Sequence, residues 1–356
     1  MSELLSVHKL ATCFHSRRGI IRAVDEVSFS IAAGETLALV GESGSGKSVT
    51  AASILRLISA PGRIEGGEIL FQGQDLLKLG TAAIRQIRGN RIAMIFQEPL
   101  SAFNPVQSIG TQIVEAIRLH RKVSRKQAFE QAVTLLERMG IPSPAQRVHE
   151  FPHRLSGGMR QRAMIAMALS CEPDLLIADE PTTALDVTTQ AQILELLKEL
   201  QAANGMGMLL ITHDLGMVAE TAHRAAVMYA GRVVEEGSID RLFTAARHPY
   251  TAGLLASVNI EALAPGTKLP EIPGSAPSLL NPVQGCAFAE RCNARHALCD
   301  KQTPPLATDT EPESFPGSGA RQIFSLGACS TTLPRYMTAM RSDIWRTTAR
   351  SCEINR

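Results

Sequence analysis

No apolar run in this chain approaches the ~18 residues that a membrane-crossing helix requires. The longest, around Met206–Ile211 and Met164–Leu169, have the length of core strand or core helix. Any membrane role must therefore come through partners. Net charge is also nearly absent, +2 from 36 Lys and Arg against 34 Asp and Glu, which argues against a dedicated nucleic-acid binder. There is no C-x₂-C pair, so the usual zinc-finger spacing is missing. Neither an internal repeat nor coiled-coil heptads are visible. The opening residues, Met1 to His8, lack the basic-then-apolar pattern of a secretory signal, and the expected compartment is the cytosol.

What is present is a 356-residue chain, 45% hydrophobic and 20% charged, in the ordinary range for a globular protein. That length suggests one large domain with an appendage, or two medium domains. Cys13 and Cys171 stand alone in segments that read as core, whereas five of the seven cysteines follow residue 285. In a reducing compartment such a cluster suits metal better than disulfides.

Val24–Ile31 alternates apolar and polar residues and reads as half-buried, antiparallel strand. Thr36–Val40 is a short apolar strand entering a glycine-rich loop. Helical spacing follows over Val49–Ser59, stopped by Pro61-Gly62. Further buried strands are predicted at Ile92–Phe96, Leu175–Ala178 and Met208–Ile211, with an amphipathic helix at Gln190–Leu200. Ala225–Tyr229 and Arg232–Glu236 flank Ala230-Gly231 as a hairpin. Buried strands alternating with helices predict a parallel sheet with helices packed on it. The helical stretch from Val106 to about Leu169, broken at Pro142, Pro144 and Pro152, forms a lobe of its own. Beyond about residue 259 the composition turns to Pro, Gly and Ser with scattered cysteines, as in a small appendage that needs a staple.

Gly41-Glu-Ser-Gly-Ser-Gly46-Lys47-Ser48 matches G-x-x-x-x-G-K-[ST] at every fixed position. Glycines let the backbone wrap a phosphate with its N–H groups inward, and the following helix presents its N-terminus to the negative charge. Lys47 is placed to reach β- and γ-phosphates and the Ser48 hydroxyl to ligate Mg²⁺. An accidental glycine-rich turn is the alternative, but this one falls between a strand and a helix, as the mechanism demands. Leu175–Glu180 is an apolar strand ending in two carboxylates. On its own such a pair is more often a helix cap. Downstream of a phosphate loop, Asp179 is placed to hold Mg²⁺, directly or through water, and Glu180 to polarise the attacking water.

Leu155-Ser156-Gly157-Gly158-Met159-Arg160-Gln161-Arg162 resembles the signature of ABC ATPases. The resemblance covers residues 1 to about 258. It implies a P-loop NTPase (RecA-like) α/β core with an antiparallel β-subdomain and an inserted helical subdomain at about 99–172. By the same resemblance two subunits enclose each ATP. Gly41, Ser43, Gly44, Gly46, Lys47, Ser48 and Val49 of one would face Ser156, Gly157 and Gly158 of the other. Gln97 matches the glutamine loop that senses Mg²⁺ and water, Asp186 the dimer-contact loop, and His213 the switch histidine at the γ-phosphate. Phe14 either stacks on adenine or belongs to the core.

Further segments resemble the oligopeptide and dipeptide importer subfamily: Arg22-Ala-Val-Asp25, Met228-Tyr-Ala-Gly231, His248-Pro-Tyr-Thr251, and then Gly285-Cys286, Arg291-Cys292 and Cys299. This implies a cysteine-bearing C-terminal extension over 259–330. With Cys329, those thiols are candidate ligands of a [4Fe–4S] cluster, with zinc or free thiols as alternatives. Residues 331–356 depart from the family and read as a disordered or aberrant tail, which leaves open whether Cys329 or Cys352 is the fourth ligand and whether the site is complete. The resemblance further implies two permease subunits, a homologous ATPase as homo- or heterodimer partner, and an extracytoplasmic peptide-binding protein. It places the chain peripherally on the cytoplasmic face of the inner membrane. Nickel, glutathione or antimicrobial peptides are alternative cargoes, and a soluble ABC ATPase on DNA or ribosomes is the rival class.

Overall fold

Apolar residues at alternate positions build the first layer. In the computed structural model, which describes residues 3–182, 185–258, 271–280 and 284–309, β1 (Glu3–Ser16) and β2 (Gly19–Ala32) pair antiparallel. They bury Leu5, Val7, Leu10, Val24, Val27 and Ile31. After β3 (Thr36–Val40) and α1 (Lys47–Ile54), β4 (Gly62–Phe71) joins the other edge of β1 and β5 (Gln74–Asp75) completes the sheet. Nothing in the alternation foretells β4, because Gly66 and Gly67 interrupt it. Gly67 lies at φ +98°, and a Cβ there would stand 2.6 Å from the Leu10 backbone. Only glycine permits this approach of β4 to β1.

Helix α1 ends at Ile54, short of the Ser59 that its spacing suggests. Arg56 takes a left-handed φ of +52° and turns its guanidinium onto the carbonyls of Leu76 and Leu79, which diverts the chain. Next come α2 (Thr81–Ile87) and β6 (Ile92–Ile95). The predicted helical lobe is then α3 (Pro99–Ala102), α4 (Ile109–His120), α5 (Arg125–Arg138), α6 (Pro144–Arg147) and α7 (Gly157–Ala168). Ser108 caps α4, and Ser124 with Gln127 forms a capping box on α5.

The second sheet alternates with helices: β7 (Leu175–Asp179), α8 (Val187–Asn204), β8 (Gly207–Ile211), α9 (Leu215–Thr221) and β9 (Arg224–Tyr229). β10 (Arg232–Ser238), α10 (Ile239–Thr244) and α11 (Pro249–Val258) follow. The order is β10-β9-β3-β8-β7-β6, parallel except for the β9–β10 hairpin. Every residue of β3, β7 and β8 is buried, as their unbroken apolar runs predict for a sheet covered on both faces.

Three apolar cores result. One lies between the parallel sheet and the helical lobe, around Ile113, Ile165 and Leu197. A second lies between the two sheets and α1, around Leu37, Leu39 and Ile54. The third gathers Val40, Tyr229, Tyr250 and Leu242 with Cys286, Phe288 and Ala289. Among the described residues, then, the cysteine-bearing segment shares a core with the parallel sheet. Cys329, Cys352 and the tail at 331–356 lie outside the described residues. No described helix is long and apolar enough to cross a membrane.

Candidate active site

Strand β3 points its C-terminal end at the phosphate loop. Gly41 has φ +149°, and a Cβ there would sit 2.1 Å from the Met228 carbonyl oxygen. Gly44 and Gly46 also have positive φ, and Gly46 opens α1. Ser43 and Gly44 are exposed at the crest, while Lys47 is buried. The Lys47 ammonium donates to the carbonyls of Gly41 at 2.7 Å and Glu42 at 2.9 Å. Burial pushes its pKa down, and the charges of Glu180, Asp179 and Glu42 oppose that.

The neighbouring parallel strands bring the other groups to the same edge, where ligand sites of such sheets form. Ser48 Oγ donates to Asp179 Oδ1 at 3.1 Å. Burial raises the Asp179 carboxyl and the charge of Glu180 adds to this, whereas Ser48 and Lys47 act against it. Glu180 is in the left-handed region, φ +48°, with its N–H donated to Ile211 at 2.8 Å. That sparsely populated conformation turns its side chain between two partners. Gln97, two residues past β6, donates to Oε2 at 2.8 Å, and His213 Nδ1, two past β8, lies 3.2 Å from Oε1. Lys47, Ser48, Asp179, Glu180, Gln97 and His213, named from sequence, are thus one constellation.

Ser156 and Asp186 stand apart from it. Ser156 Oγ caps α7 by accepting from Met159 N–H, and Gly157-Gly158 form its first turn. Asp186 caps α8, accepting from the N–H and hydroxyl of Thr189. The Gln161 amide donates to the Pro181 carbonyl, tying α7 to the loop after Glu180. Within the described residues no hydrogen bond joins Ser156 or Asp186 to the Gly41–Ser48 loop. Phe14 is half-buried in β1 with its ring against Gly62, where a Cβ would come within 2.6 Å of it.

Two residues distant in sequence touch the loop without any pattern that foretells it. The Tyr250 hydroxyl accepts from Glu42 N–H at 2.8 Å. Arg291 grips the Glu42 carboxylate with both terminal nitrogens, at 2.8 and 2.9 Å. The His248–Thr251 and Arg291-Cys292 segments gave a signal through resemblance alone, and neither pointed to the loop.

The cysteine expectation fares differently. Cys286, Cys292 and Cys299 are free and near one another; burial, then the neighbouring Cys299, raises the Cys286 and Cys292 thiols. Among the described residues no group of three or more His, Cys, Asp or Glu side chains is placed to hold a metal. The proposed fourth ligand is not among them. The described residues therefore do not fit an iron–sulfur cluster or a zinc site. The Ser48–Asp179 pair, a hydroxyl against a buried carboxylate beside the loop, does fit Mg²⁺.

Residues 24–183 match the ABC transporter family, and residues 234–299 match the oligopeptide/dipeptide transporter C-terminal region. A probable peptide ABC transporter ATP-binding protein of Sinorhizobium fredii is 51% identical over 85% of this chain and 91% of its own. The chain belongs to the ABC transporter family. This ABC cassette is also 51% identical to the oligopeptide transport ATP-binding protein OppD of Bacillus subtilis, over 86% of each chain. A bacterial ABC transporter cassette solved as a dimer superposes with a TM-score of 0.61 at 26% identity, over 66% of this chain and 98% of that one. The same cassette in a post-hydrolysis state carries ADP and Pi and superposes equally well.

Proposed function

We propose that this ABC cassette is the ATP-hydrolysing subunit of a membrane transporter that imports di- or oligopeptides. The observation that carries the ATPase half is Glu180, held between Gln97 and His213 beside Lys47, Ser48 and Asp179. The peptide half rests on the C-terminal match at 234–299 and on relatives named for peptide and oligopeptide transport. No feature favours nickel, glutathione, DNA or ribosomes.

ATP would lie along the loop from Gly41 to Val49, with its phosphates on the backbone N–H groups and the α1 N-terminus. Lys47 exchanges its bonds to loop carbonyls for the β- and γ-phosphate oxygens. Phe14 is the candidate adenine platform. Ser48, Asp179 and Gln97 would hold Mg²⁺, which when bound offsets phosphate charge. Glu180 accepts a proton from water as its oxygen attacks the γ-phosphorus and the β–γ bridging bond breaks, giving ADP and phosphate. Gln97 orients that carboxylate, and His213 contacts the γ-phosphate. Electrostatic stabilisation and positioning supply most of the rate.

Ser156, Gly157, Gly158 and Asp186 would act on the ATP of a second cassette, identical or homologous, so that two nucleotides are sandwiched between two subunits. The dimeric relative supports this arrangement. Closure on ATP shifts the population toward the closed dimer, and hydrolysis releases it. With no membrane-spanning helix among the described residues, attachment to the inner face of the membrane comes through two permease subunits. An extracytoplasmic binding protein supplies the peptide. The cysteine segment enters no step.

The test is a trapped pull-down. Tagged Glu180→Gln protein is held closed with ATP in its native host, extracted in mild detergent, and its partners identified by mass spectrometry. Two integral permeases and a peptide-binding protein are expected. Ribosomal proteins or DNA instead would refute transport.

A further inference from the structure

All five N–H donors of Arg291 are engaged, and they join three separate parts of the chain. Nη1 donates to Glu42 Oε2 at 2.8 Å and to the Tyr229 hydroxyl at 3.2 Å. Nη2 donates to Glu42 Oε1 at 2.9 Å and to the Ile272 carbonyl at 3.4 Å, and Nε to the Pro273 carbonyl at 2.8 Å. The guanidinium also lies 5.7 Å from the Tyr229 ring and 5.9 Å from the Phe288 ring. Its side chain is only 7% exposed. A planar fork so fully satisfied is fixed in one orientation, and no other side chain reproduces it.

The partner so held is the second residue of the phosphate loop. Glu42 offers its backbone N–H to Tyr250, its carbonyl to Lys47 and its carboxylate to Arg291. Its charge is among those that reach the Lys47 ammonium. A carboxylate at the mouth of a loop that binds a polyphosphate repels the ligand unless it is neutralised. Arg291 is the cation that neutralises it. It comes from the C-terminal region, 249 positions away in sequence. The next residue is Cys292, whose thiol joins the third core beside Cys286 and Phe288.

We propose that Arg291 is a positioning residue of the nucleotide site, through which the C-terminal region sets the affinity of the phosphate loop for nucleotide. It does so by cancelling the Glu42 charge and by fixing the first turn of the loop together with Tyr250. This rests on the nucleotide reading of the loop, which it deepens. Packing of Phe288 and its neighbours against Tyr229 and Tyr250 then becomes a condition for tight ATP binding, not only a stabiliser of the fold.

Full-length wild type, Arg291→Ala, Arg291→Lys and the double variant Arg291→Ala/Glu42→Gln are titrated with TNP-ATP and Mg²⁺ in low salt, and each is melted without nucleotide. Arg291→Ala is expected to weaken binding about tenfold, a gap that narrows as salt screens the charge. Arg291→Lys, which keeps the charge and loses the fork, falls between. The double variant, with no carboxylate left to neutralise, regains most of the affinity while melting no higher than Arg291→Ala. A residue that serves packing alone gives the opposite result, affinity tracking melting temperature with no rescue by Glu42→Gln, and that overturns the proposal. Should Arg291→Ala not fold, Arg291→Lys against Arg291→Lys/Glu42→Gln carries the same comparison. Wild type that does not bind TNP-ATP refutes the nucleotide reading itself, whereas wild type and Arg291→Ala binding equally refutes only the role of Arg291.

Discussion

The amide of Gln97 donates to Glu180 Oε2 at 2.8 Å while His213 Nδ1 stands 3.2 Å from the other oxygen, so one carboxylate is held from both sides. The three residues leave the ends of three adjacent parallel strands, and the sheet register alone sets their spacing. Replacing Glu180 by Gln keeps the shape and removes the base. Turnover in phosphate-release assays is expected to fall roughly 10²- to 10⁴-fold with nucleotide binding retained. Hydrolysis within threefold of wild type would assign the base elsewhere.

Lys47 contributes charge rather than shape. Lys47→Ala removes the buried ammonium that faces Asp179 and Glu180, and leaves those carboxylates uncompensated near the incoming phosphates. Loss of at least ~100-fold in turnover is expected, accompanied by weaker ATP binding. A purified variant with undiminished turnover contradicts the phosphate assignment.

Ser156 acts between subunits if the site is shared. A Ser156→Arg cassette mixed with a Lys47→Ala cassette leaves one composite site intact in the mixed dimer and none in either pure dimer. Mixing two inactive preparations should then restore measurable hydrolysis. No recovery, with mixed dimers shown by mass, argues against the shared site.

Stability should fall on mild acidification because of His248. Its ring is buried, accepts from Tyr250 N–H, and has a pKa pushed down to about 4 by burial. The unfolded chain binds its proton near pH 6.5 and the folded chain does not, so stability declines as pH drops from about 6.5 toward 4. The full effect is at most ~3 kcal/mol. Denaturant midpoints at pH 7.5 and 5.0 should differ less in His248→Gln than in wild type, and an unchanged difference would implicate other groups.

Leu39 lies in β3, fully buried, with β8 and β9 paired on either side. Leu39→Ala opens a cavity under the phosphate loop and should cost ~2–5 kcal/mol in urea unfolding. A loss below half that lower bound would mean that the second core collapses around the gap.

Much of this was legible because burial on both faces leaves an unmistakable pattern. Leu37–Val40, Leu175–Ala178 and Met208–Ile211 are unbroken apolar runs, and the chain just past them carries Lys47, Asp179, Glu180 and His213. The prolines at 142, 144 and 152 mark real breaks between helices of the lobe. Propensity failed at Arg56, where tertiary hydrogen bonds end α1 early, and at β4, where glycines erase the alternation. Arg291 was visible only as part of a family resemblance, and its role at the phosphate loop was not, since its pairing with Glu42 exists only once the third core has formed.

The position of β3 inside its sheet has a consequence for synthesis. Its hydrogen-bonded neighbours are β8 and β9, and Val40 is paired with Val227, roughly 190 residues further along. At ordinary elongation rates the ribosome needs ~10–40 s to deliver that partner. Through that interval the emerged strand has unsatisfied edges on both sides and an apolar face on each, and the nascent chain depends on the tunnel, on chaperones or on the β1–β2 ribbon to shield it.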